Sequence, residues 1–135
     1  MADDLRIAAV VMEAPLGARD ANFERTAHFT RRAHAEGARL ICFPEMNLTG
    51  YSTREVIGRQ ALALDDPLIR RLAALARETQ MVILAGLAEV DHVGRTFASH
   101  LVVPPEGPIA VYRKTHIAPP EQGVFTAGAD LPLFE

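Results

Sequence analysis

The chain has 135 residues, of which 49% are hydrophobic and 23% are charged, and its formal net charge is −3. These values fit a soluble protein that forms one domain or part of a larger one. It shows neither the basic field of a nucleic-acid-binding protein nor an apolar run that could span a bilayer, so neither partner is expected. The acidic N-terminus is unlike a secretory signal, and the single cysteine excludes an intrachain disulfide. Both features favour a cytoplasmic location.

The N-terminal part of the sequence predicts a strand, a helix and a second strand. Residues 5–12 are apolar and partly β-branched, as in a central strand, and residues 39–43 form a second apolar run. Between them, Asp20 is the predicted N-cap of a helix over 21–36, which ends at Gly37. One face of this helix is predicted to hold Phe23, Ala27, Thr30 and His34. The spacing indicates a βαβ unit with two parallel strands.

A second helix and a third strand follow a loop over residues 44–64. Two aspartates and a proline at 65–67 are typical of a helix start, and the predicted helix covers 67–79. Its apolar stripe consists of Leu68, Leu72, Leu75 and Ala76. Residues 81–90 indicate a third strand that is parallel to the second.

The C-terminal part of the sequence predicts hairpins rather than crossovers. Its elements alternate, with strands over 95–103 and 109–113 and turns at 91–94 and 104–108. Residues 114–132 contain several prolines and glycines and predict an irregular loop, and 131–135 resemble the start of a further strand. The predicted fold class is therefore α/β, with a mixed sheet and both helices on one of its faces.

Two ionisable residues directly follow predicted strand ends, where functional groups collect in open α/β sheets, and a third lies in the loop after the last strand. Glu45 comes just after the second strand, Lys114 after the last hairpin strand, and Glu121 seven residues later. Lys114 is the one lysine beside thirteen arginines, which is either chance or a sign that this position requires an ammonium group. A glutamate and a lysine in a partly dry cleft can act chemically, whereas on the surface they form a salt bridge of little energetic value. The residues alone leave both interpretations open.

Two stretches of the chain resemble the motifs of a known family. LICFPEMNLTGY around Glu45 and VYRKTHIAPPEQGVFTAGADLPLF around Lys114 resemble the glutamate and lysine motifs of the nitrilase superfamily, the carbon–nitrogen hydrolases. The similarity extends over the whole chain. It implies the N-terminal portion of an α-β-β-α sandwich. It also implies hydrolysis of a non-peptide carbon–nitrogen bond in a linear amide, a carbamoyl compound or a nitrile, without a metal or an organic cofactor.

The resemblance implies a role for each of the three residues. Glu45 matches the general base, Lys114 the cation that stabilises the tetrahedral oxyanion, and Glu121 a second glutamate that helps orient the lysine and the substrate. The nucleophile of the family is a cysteine, which forms a thioester acyl-enzyme. Tyr51 and His116 are further candidates for the substrate pocket, although Tyr51 also suits a packed loop aromatic and His116 a surface loop.

Two positions depart from the family pattern. The family cysteine follows the lysine motif after a further strand, so we expect it beyond residue 135. The 1–135 domain is then truncated before its nucleophile and inactive alone. Cys42 lies inside the second strand, three residues before Glu45, and is predicted to be a buried, inert residue. Ala98, in the run FASH, stands where many members carry an asparagine, so the positioning role of that side chain is missing.

Other classes of function stay open at this point. One is a non-catalytic domain of the same fold that acts in binding or assembly, and another is a flavodoxin-like binding module, which the βαβ start alone favours. The five histidines show no metal-ligand spacing, so no metal site is expected. Because the helices cover only one face of an apolar sheet, the isolated 1–135 chain is expected either to self-associate through the open face or to be poorly soluble, and the whole protein is expected to be a homo-oligomer.

Overall fold

Five strands form one mixed sheet in the computed structural model of the chain, which describes residues 4–134. In their order across the sheet they are β1 (Ile7–Ala9), β2 (Leu40–Cys42), β3 (Val82–Val90), β4 (Thr96–Val103) and β5 (Ala110–Arg113). The α-helices are α1 (Arg19–Ala35) and α2 (Pro67–Thr79), and short 3-10 helices cover Glu55–Arg59 and Pro119–Glu121. Within this part of the chain, no helix has the length and apolar character needed to cross a membrane.

The pairing of the strands matches the predicted mixed sheet. β1, β2 and β3 are parallel, since α1 and α2 carry the chain back between them. β3, β4 and β5 are antiparallel and are joined by tight turns, in which Gly94 and Gly107 adopt left-handed φ angles. β3 lies in the middle and contacts both the parallel and the antiparallel halves.

The main core lies between the sheet and the two helices. Ile41, Ile83 and Leu101 are completely buried there, packed in one cluster with side chains of α1 and α2. The predicted stripe of α2 is buried throughout. Asp66 caps this helix by accepting a hydrogen bond from the Leu68 N–H at 2.8 Å. The prediction of α2 is therefore confirmed in its start and in its buried face.

Helix α1 begins earlier than the sequence predicts. Its N-cap is Ala18 and not Asp20, because Gly17 adopts a left-handed φ of +76° and turns the chain into the helix sooner. Asp20 lies in the first turn, where its carboxylate accepts a hydrogen bond from Arg71 at 2.8 Å. Of the four residues predicted to share one face of α1, Phe23, Ala27 and Thr30 are buried. His34 is exposed, because the buried stripe of α1 passes through the preceding residue.

The two ends of the chain contain less strand than predicted. β1 is shorter than the strand predicted over 5–12, because its ladder with β2 ends where the Val10 N–H donates to the Cys42 carbonyl. It is an edge strand of the described sheet and not the predicted central one. Residues 131–134 are irregular, so the strand predicted over 131–135 is wrong there, and the final residue lies outside the described range. These residues have no neighbouring strand in the described sheet to pair their backbone groups.

The second face of the sheet is open except at one end, where Met46, Ile57 and Phe125 pack on Ala88 and Ala98. Alternate side chains of the strands point to this face, and a groove of about 830 Å³ lies along it. Its lining is mainly apolar and includes Leu40, Val82, Leu84, Val102 and Tyr112. Cys42 is half-buried rather than buried as predicted, because alternation turns it away from the helices that cover its neighbours Ile41 and Phe43.

The chain after β2 crosses close over β3 at Gly86. A side chain at this position would place its Cβ 1.7 Å from the carbonyl oxygen of Glu45, so the crossing requires a glycine. The Leu48 N–H donates to the Gly86 carbonyl at 3.0 Å, which ties the crossing segment to the strand. This contact sets the height of Glu45 above the sheet.

We predict that Gly86→Ala lowers the free energy of unfolding by about 1–3 kcal/mol, because the added methyl group displaces the backbone around Glu45. Urea denaturation followed by circular dichroism measures this change. Gly58→Ala is the matched control, since the nearest atom to its added Cβ, the Thr96 hydroxyl oxygen, is 3.6 Å away. Equal stability of the two variants would contradict the close crossing.

Candidate active site

A loop directly after β2 carries Glu45, and buried polar side chains hold it in place. Asn47 is fully buried. Its Nδ2 donates to the Thr26 hydroxyl on α1 at 2.9 Å, and its Oδ1 accepts from the Gly86 N–H at 2.8 Å. The Thr49 hydroxyl accepts from a backbone N–H of β3 at 3.0 Å. Asn47 and Thr49 are absent from the sequence-based candidates, and their alternation with apolar neighbours in MNLTG was the available signal.

Lys114 follows β5 and faces the same side of the sheet as the Glu45 loop. Its N–H donates to the Ala98 carbonyl at 2.8 Å, which extends the pairing of β4 and β5 by one residue. Its carbonyl accepts from the Gly128 N–H, also at 2.8 Å. Because both of its backbone groups are bonded, the direction of the lysine side chain is set by the sheet.

On the helix side of the sheet, Arg113 anchors the end of β5. Its guanidinium forms a two-point ion pair with Glu89 of β3, a carboxylate that is 1% exposed and also accepts from the Ser99 hydroxyl at 2.5 Å. The guanidinium lies over the Phe97 ring, 4.2 Å from its centre. This ion pair links β5, an edge strand of the described sheet, to the central strand and restrains the residue before Lys114.

The ammonium group of Lys114 lies between two glutamates. Its Nζ is 3.2 Å from Glu45 Oε1, and it is 3.1 Å and 2.9 Å from the two carboxylate oxygens of Glu121. The predicted approach of Glu45 and Lys114, which are 69 positions apart in sequence, is therefore confirmed. The three ionisable candidates from the sequence therefore meet at one place in the structure.

Glu121 is the buried member of this group. Its side chain is 3% exposed, and it accepts hydrogen bonds from Lys114, from the Ala118 N–H at 3.1 Å and from the Tyr51 hydroxyl at 3.2 Å. Burial raises the pKa of this carboxyl, but the donors outweigh burial and hold the pKa of Glu121 below its ordinary value. Glu121 therefore stays ionised beside the lysine at neutral pH.

Lys114 stays charged in this setting. The hydrogen bond to Glu121 raises the pKa of Lys114 most, and the contribution of Glu45 adds to it, so the pKa lies above its ordinary value despite partial burial. A lysine that is held protonated in this way acts as a fixed positive charge and not as a base.

Glu45 has a different environment from Glu121. Its side chain is 52% exposed, and within residues 4–134 its carboxylate accepts a hydrogen bond from Lys114 alone. A carboxylate has about four lone-pair sites, so most of those on Glu45 are free for an incoming proton. Two carboxylates in unlike environments can have different roles, so that one transfers a proton and the other holds the lysine in place.

Two cavities adjoin Glu45. The smaller one, of about 90 Å³, is lined by Glu45, Ala98, Ser99, His100, Tyr112 and Lys114. The larger one, of about 250 Å³, includes Tyr51 in its lining. His116, the other candidate for the pocket, is exposed and lines neither cavity, and Cys42 also lines neither. Within residues 4–134, no group of three or more His, Cys, Asp or Glu side chains is arranged to hold a metal ion.

Comparison with known proteins assigns the chain to a family. The carbon-nitrogen hydrolase family matches residues 6–131, and the chain belongs to this family. An (R)-stereoselective amidase from a Pseudomonas species is 35% identical over 89 residues, which are 66% of this chain and 32% of the amidase. A nitrilase from Pyrococcus abyssi is 32% identical over 127 residues, which are 92% of this chain and 48% of the nitrilase.

A solved structure shares the fold. A variant of an amidase from Nesterenkonia sp. AN1 aligns with a TM-score of 0.81 at 21% identity, over 96% of this chain and 50% of that one. The Nesterenkonia structure shows covalent addition of the acetamide moiety of fluoroacetamide at its active-site cysteine. The chain thus spans between about a third and a half of the length of these relatives. The predicted superfamily and its mixed α/β fold are confirmed.

We predict that the pKa of Lys114 in the folded chain lies above its ordinary value of 10.5. Because residues 1–135 contain one lysine, 13C-labelled lysine gives one Cε signal from this region, and its NMR titration measures the pKa directly. Glu121→Gln removes the carboxylate that raises the pKa of Lys114 most, so it is expected to lower this pKa. Glu55→Gln changes an exposed acid elsewhere and is expected to leave it unchanged. A Lys114 pKa at or below 10.5 would contradict the described ion pair.

The same shift makes stability depend on pH. Folding raises the pKa of Lys114, so its stabilising contribution is complete below pH 10.5 and is lost as the pH rises through the folded value. Folding lowers the pKa of Glu121, so its contribution is complete above pH 4.5 and is lost as the pH falls through the folded value. The pair therefore stabilises the fold across the neutral range.

Proposed function

We propose that residues 1–135 carry the general base and the oxyanion-binding lysine of a hydrolase of non-peptide carbon–nitrogen bonds. Its substrates are linear amides or carbamoyl compounds, and its nucleophile is a cysteine beyond residue 135. One observation carries the proposal. The Nζ of Lys114 lies 3.2 Å from a half-exposed carboxylate, that of Glu45, and 2.9 Å from a buried one, that of Glu121.

Glu45 suits the role of general base. Its carboxylate lies at the wall of a cavity and is half exposed, so a thiol or a water molecule in the cavity can reach it. Its contact with Lys114 fixes the orientation of the carboxylate and leaves lone pairs free for a proton. Glu121 does not suit this role, because three donors occupy its carboxylate oxygens and the side chain is buried.

Lys114 suits stabilisation of an oxyanion. Its ammonium is held in place before any substrate arrives, so no reorganisation is needed when a carbonyl oxygen becomes negative beside it. The buried carboxylate of Glu121 supplies that fixation, and Tyr51 in turn holds Glu121. Tyr51 thus acts through Glu121 and also lines the larger cavity.

The proposed reaction has two stages. The thiol sulfur attacks the carbonyl carbon while its proton passes to Glu45, and the carbonyl oxygen becomes negative beside Lys114. The carbon–nitrogen bond then breaks, Glu45 gives the proton to the nitrogen, and ammonia leaves a thioester behind. In the second stage water attacks the thioester and gives a proton to Glu45. The carbon–sulfur bond breaks, the thiolate takes the proton back, and the acid is released.

The relatives support a thiol mechanism for this chain. Two of them are amidases and one is a nitrilase, and in one amidase the acetamide moiety of fluoroacetamide is bonded covalently to the active-site cysteine, which shows that this thiol is reactive. Cys42 does not suit that part here. It lies in β2, its thiol donates to the Phe43 carbonyl at 3.7 Å, and it lines neither cavity beside Glu45.

A second candidate function is binding or assembly without catalysis, and the open sheet face favours it. The groove on this face is apolar and large enough to bind a second copy or another part of the protein. Such a role is compatible with a homo-oligomer and does not need the Glu45–Lys114 contact. The presence or absence of turnover separates the two functions.

We predict that Lys114→Arg and Glu45→Gln each lower amide turnover by about a hundredfold or more in the full-length protein. The guanidinium is larger and planar and cannot take the place of the ammonium between two carboxylates. The glutamine amide cannot accept the thiol proton. Ammonia release from a linear amide measures turnover, and thermal melting shows whether each variant remains folded.

Cys42→Ala is the control for this experiment, and we expect it to keep wild-type turnover. Lys114→Arg activity within a few-fold of wild type, at an unchanged melting temperature, would overturn the proposed role of the lysine. Loss of turnover in a folded Cys42→Ala variant would show that the nucleophile lies in β2.

A further inference from the structure

His100 is a half-buried titratable residue that the proposed reaction does not use. It lies on β4, paired with Gly86 of β3 and with Tyr112 of β5, on the open face of the sheet. Its Nε2 is buried and has no hydrogen-bond partner among the described residues. A buried polar atom without a hydrogen-bond partner is energetically costly, so the unpaired Nε2 suggests that a ligand supplies its partner.

The His100 ring stands between the reactive pair and the apolar groove. It lines the small cavity together with Glu45 and Lys114, and it also lines the groove on the open face. The small cavity measures about 90 Å³ and has room for only a few non-hydrogen atoms. If the substrate carbonyl lies at Lys114, a substrate group that contacts His100 must therefore be attached close to that carbonyl.

The imidazole of His100 is neutral at pH 7. Burial lowers the pKa of His100 below its ordinary value, and the backbone of Leu84 and the charge of Glu45 do not restore it. The charged residues that line the cavity with it are Glu45 and Lys114. A neutral imidazole has one donor and one acceptor nitrogen, so it suits an uncharged partner such as a hydroxyl group.

We propose that His100 is a specificity-determining residue whose Nε2 forms a hydrogen bond with an uncharged polar group on the carbon next to the amide carbonyl. The preferred substrate class is then the 2-hydroxy amides and their close analogues. The inference rests on the proposed function, because it takes the carbonyl to lie at Lys114. Ala98 is two residues earlier on the same strand face and lines the same cavity, where its small side chain leaves room for the substituent.

The test compares lactamide with isobutyramide, in which a methyl group replaces the hydroxyl at nearly equal size. Binding to the full chain is followed by NMR at two places, the Cε signal of Lys114 and the ring signal of His100. A Glu45→Gln background stops turnover during the measurement. We expect both signals to shift with lactamide, and we expect lactamide to bind about tenfold more tightly than isobutyramide.

Three variants make the comparison specific. His100→Phe keeps a ring without nitrogen and is expected to abolish the preference for lactamide while it still binds isobutyramide. His100→Gln keeps a donor and an acceptor and is expected to retain part of the preference. His92→Phe makes the same exchange at an exposed turn and is expected to leave the preference unchanged.

The two possible failures are distinguishable. Equal affinity of the two amides, or a preference that survives in His100→Phe, would overturn the role of His100 and leave the response of Lys114 intact. A Lys114 signal that responds to neither amide would overturn the proposed function and the inference together.

Discussion

The buried carboxylate of Glu121 holds the ammonium of Lys114, and the candidate site depends on this ion pair. Burying a charge is costly unless donors surround it, and Glu121 has three of them, from Lys114, Tyr51 and the Ala118 backbone. Because Glu121 fixes the lysine, Glu45 does not have to. Glu45 can therefore stay half exposed, with lone pairs free for proton transfer.

The fold places Glu45 and Lys114 side by side, although they follow two strands that are not neighbours in the sheet. Glu45 reaches its position because Gly86 lets the loop cross low over β3 and because Asn47 fastens that loop to α1 and β3. Lys114 reaches its position because β5 continues its pairing with β4. Alternation along β5 then puts Arg113 and Lys114 on opposite faces, so the Glu89–Arg113 and Glu45–Lys114 ion pairs share a single strand end.

The sequence predicted the elements whose signal is local and periodic, such as α2 with its apolar stripe and Asp66 cap. It also predicted that Glu45 and Lys114 meet, since both follow strand ends and match family motifs. Helix α1 began elsewhere because Gly17 and not a side-chain cap decides its start. Alternation in MNLTG was a local signal for Asn47, but it could not name the partners of this side chain, because Thr26 and Gly86 lie far away in sequence.

We propose that Glu45 and Lys114, whose charged atoms lie 3.2 Å apart, act as one catalytic unit. The turnover of a double variant is the most direct test of this proposal. Rates of amide hydrolysis would be compared for Glu45→Gln, Lys114→Met and the double variant of the full-length protein. Residues that act as a unit lose function together, so the double variant is expected to be no slower than the slower single variant. A double variant slowed by the product of the two single losses would show independent roles and contradict a shared catalytic unit.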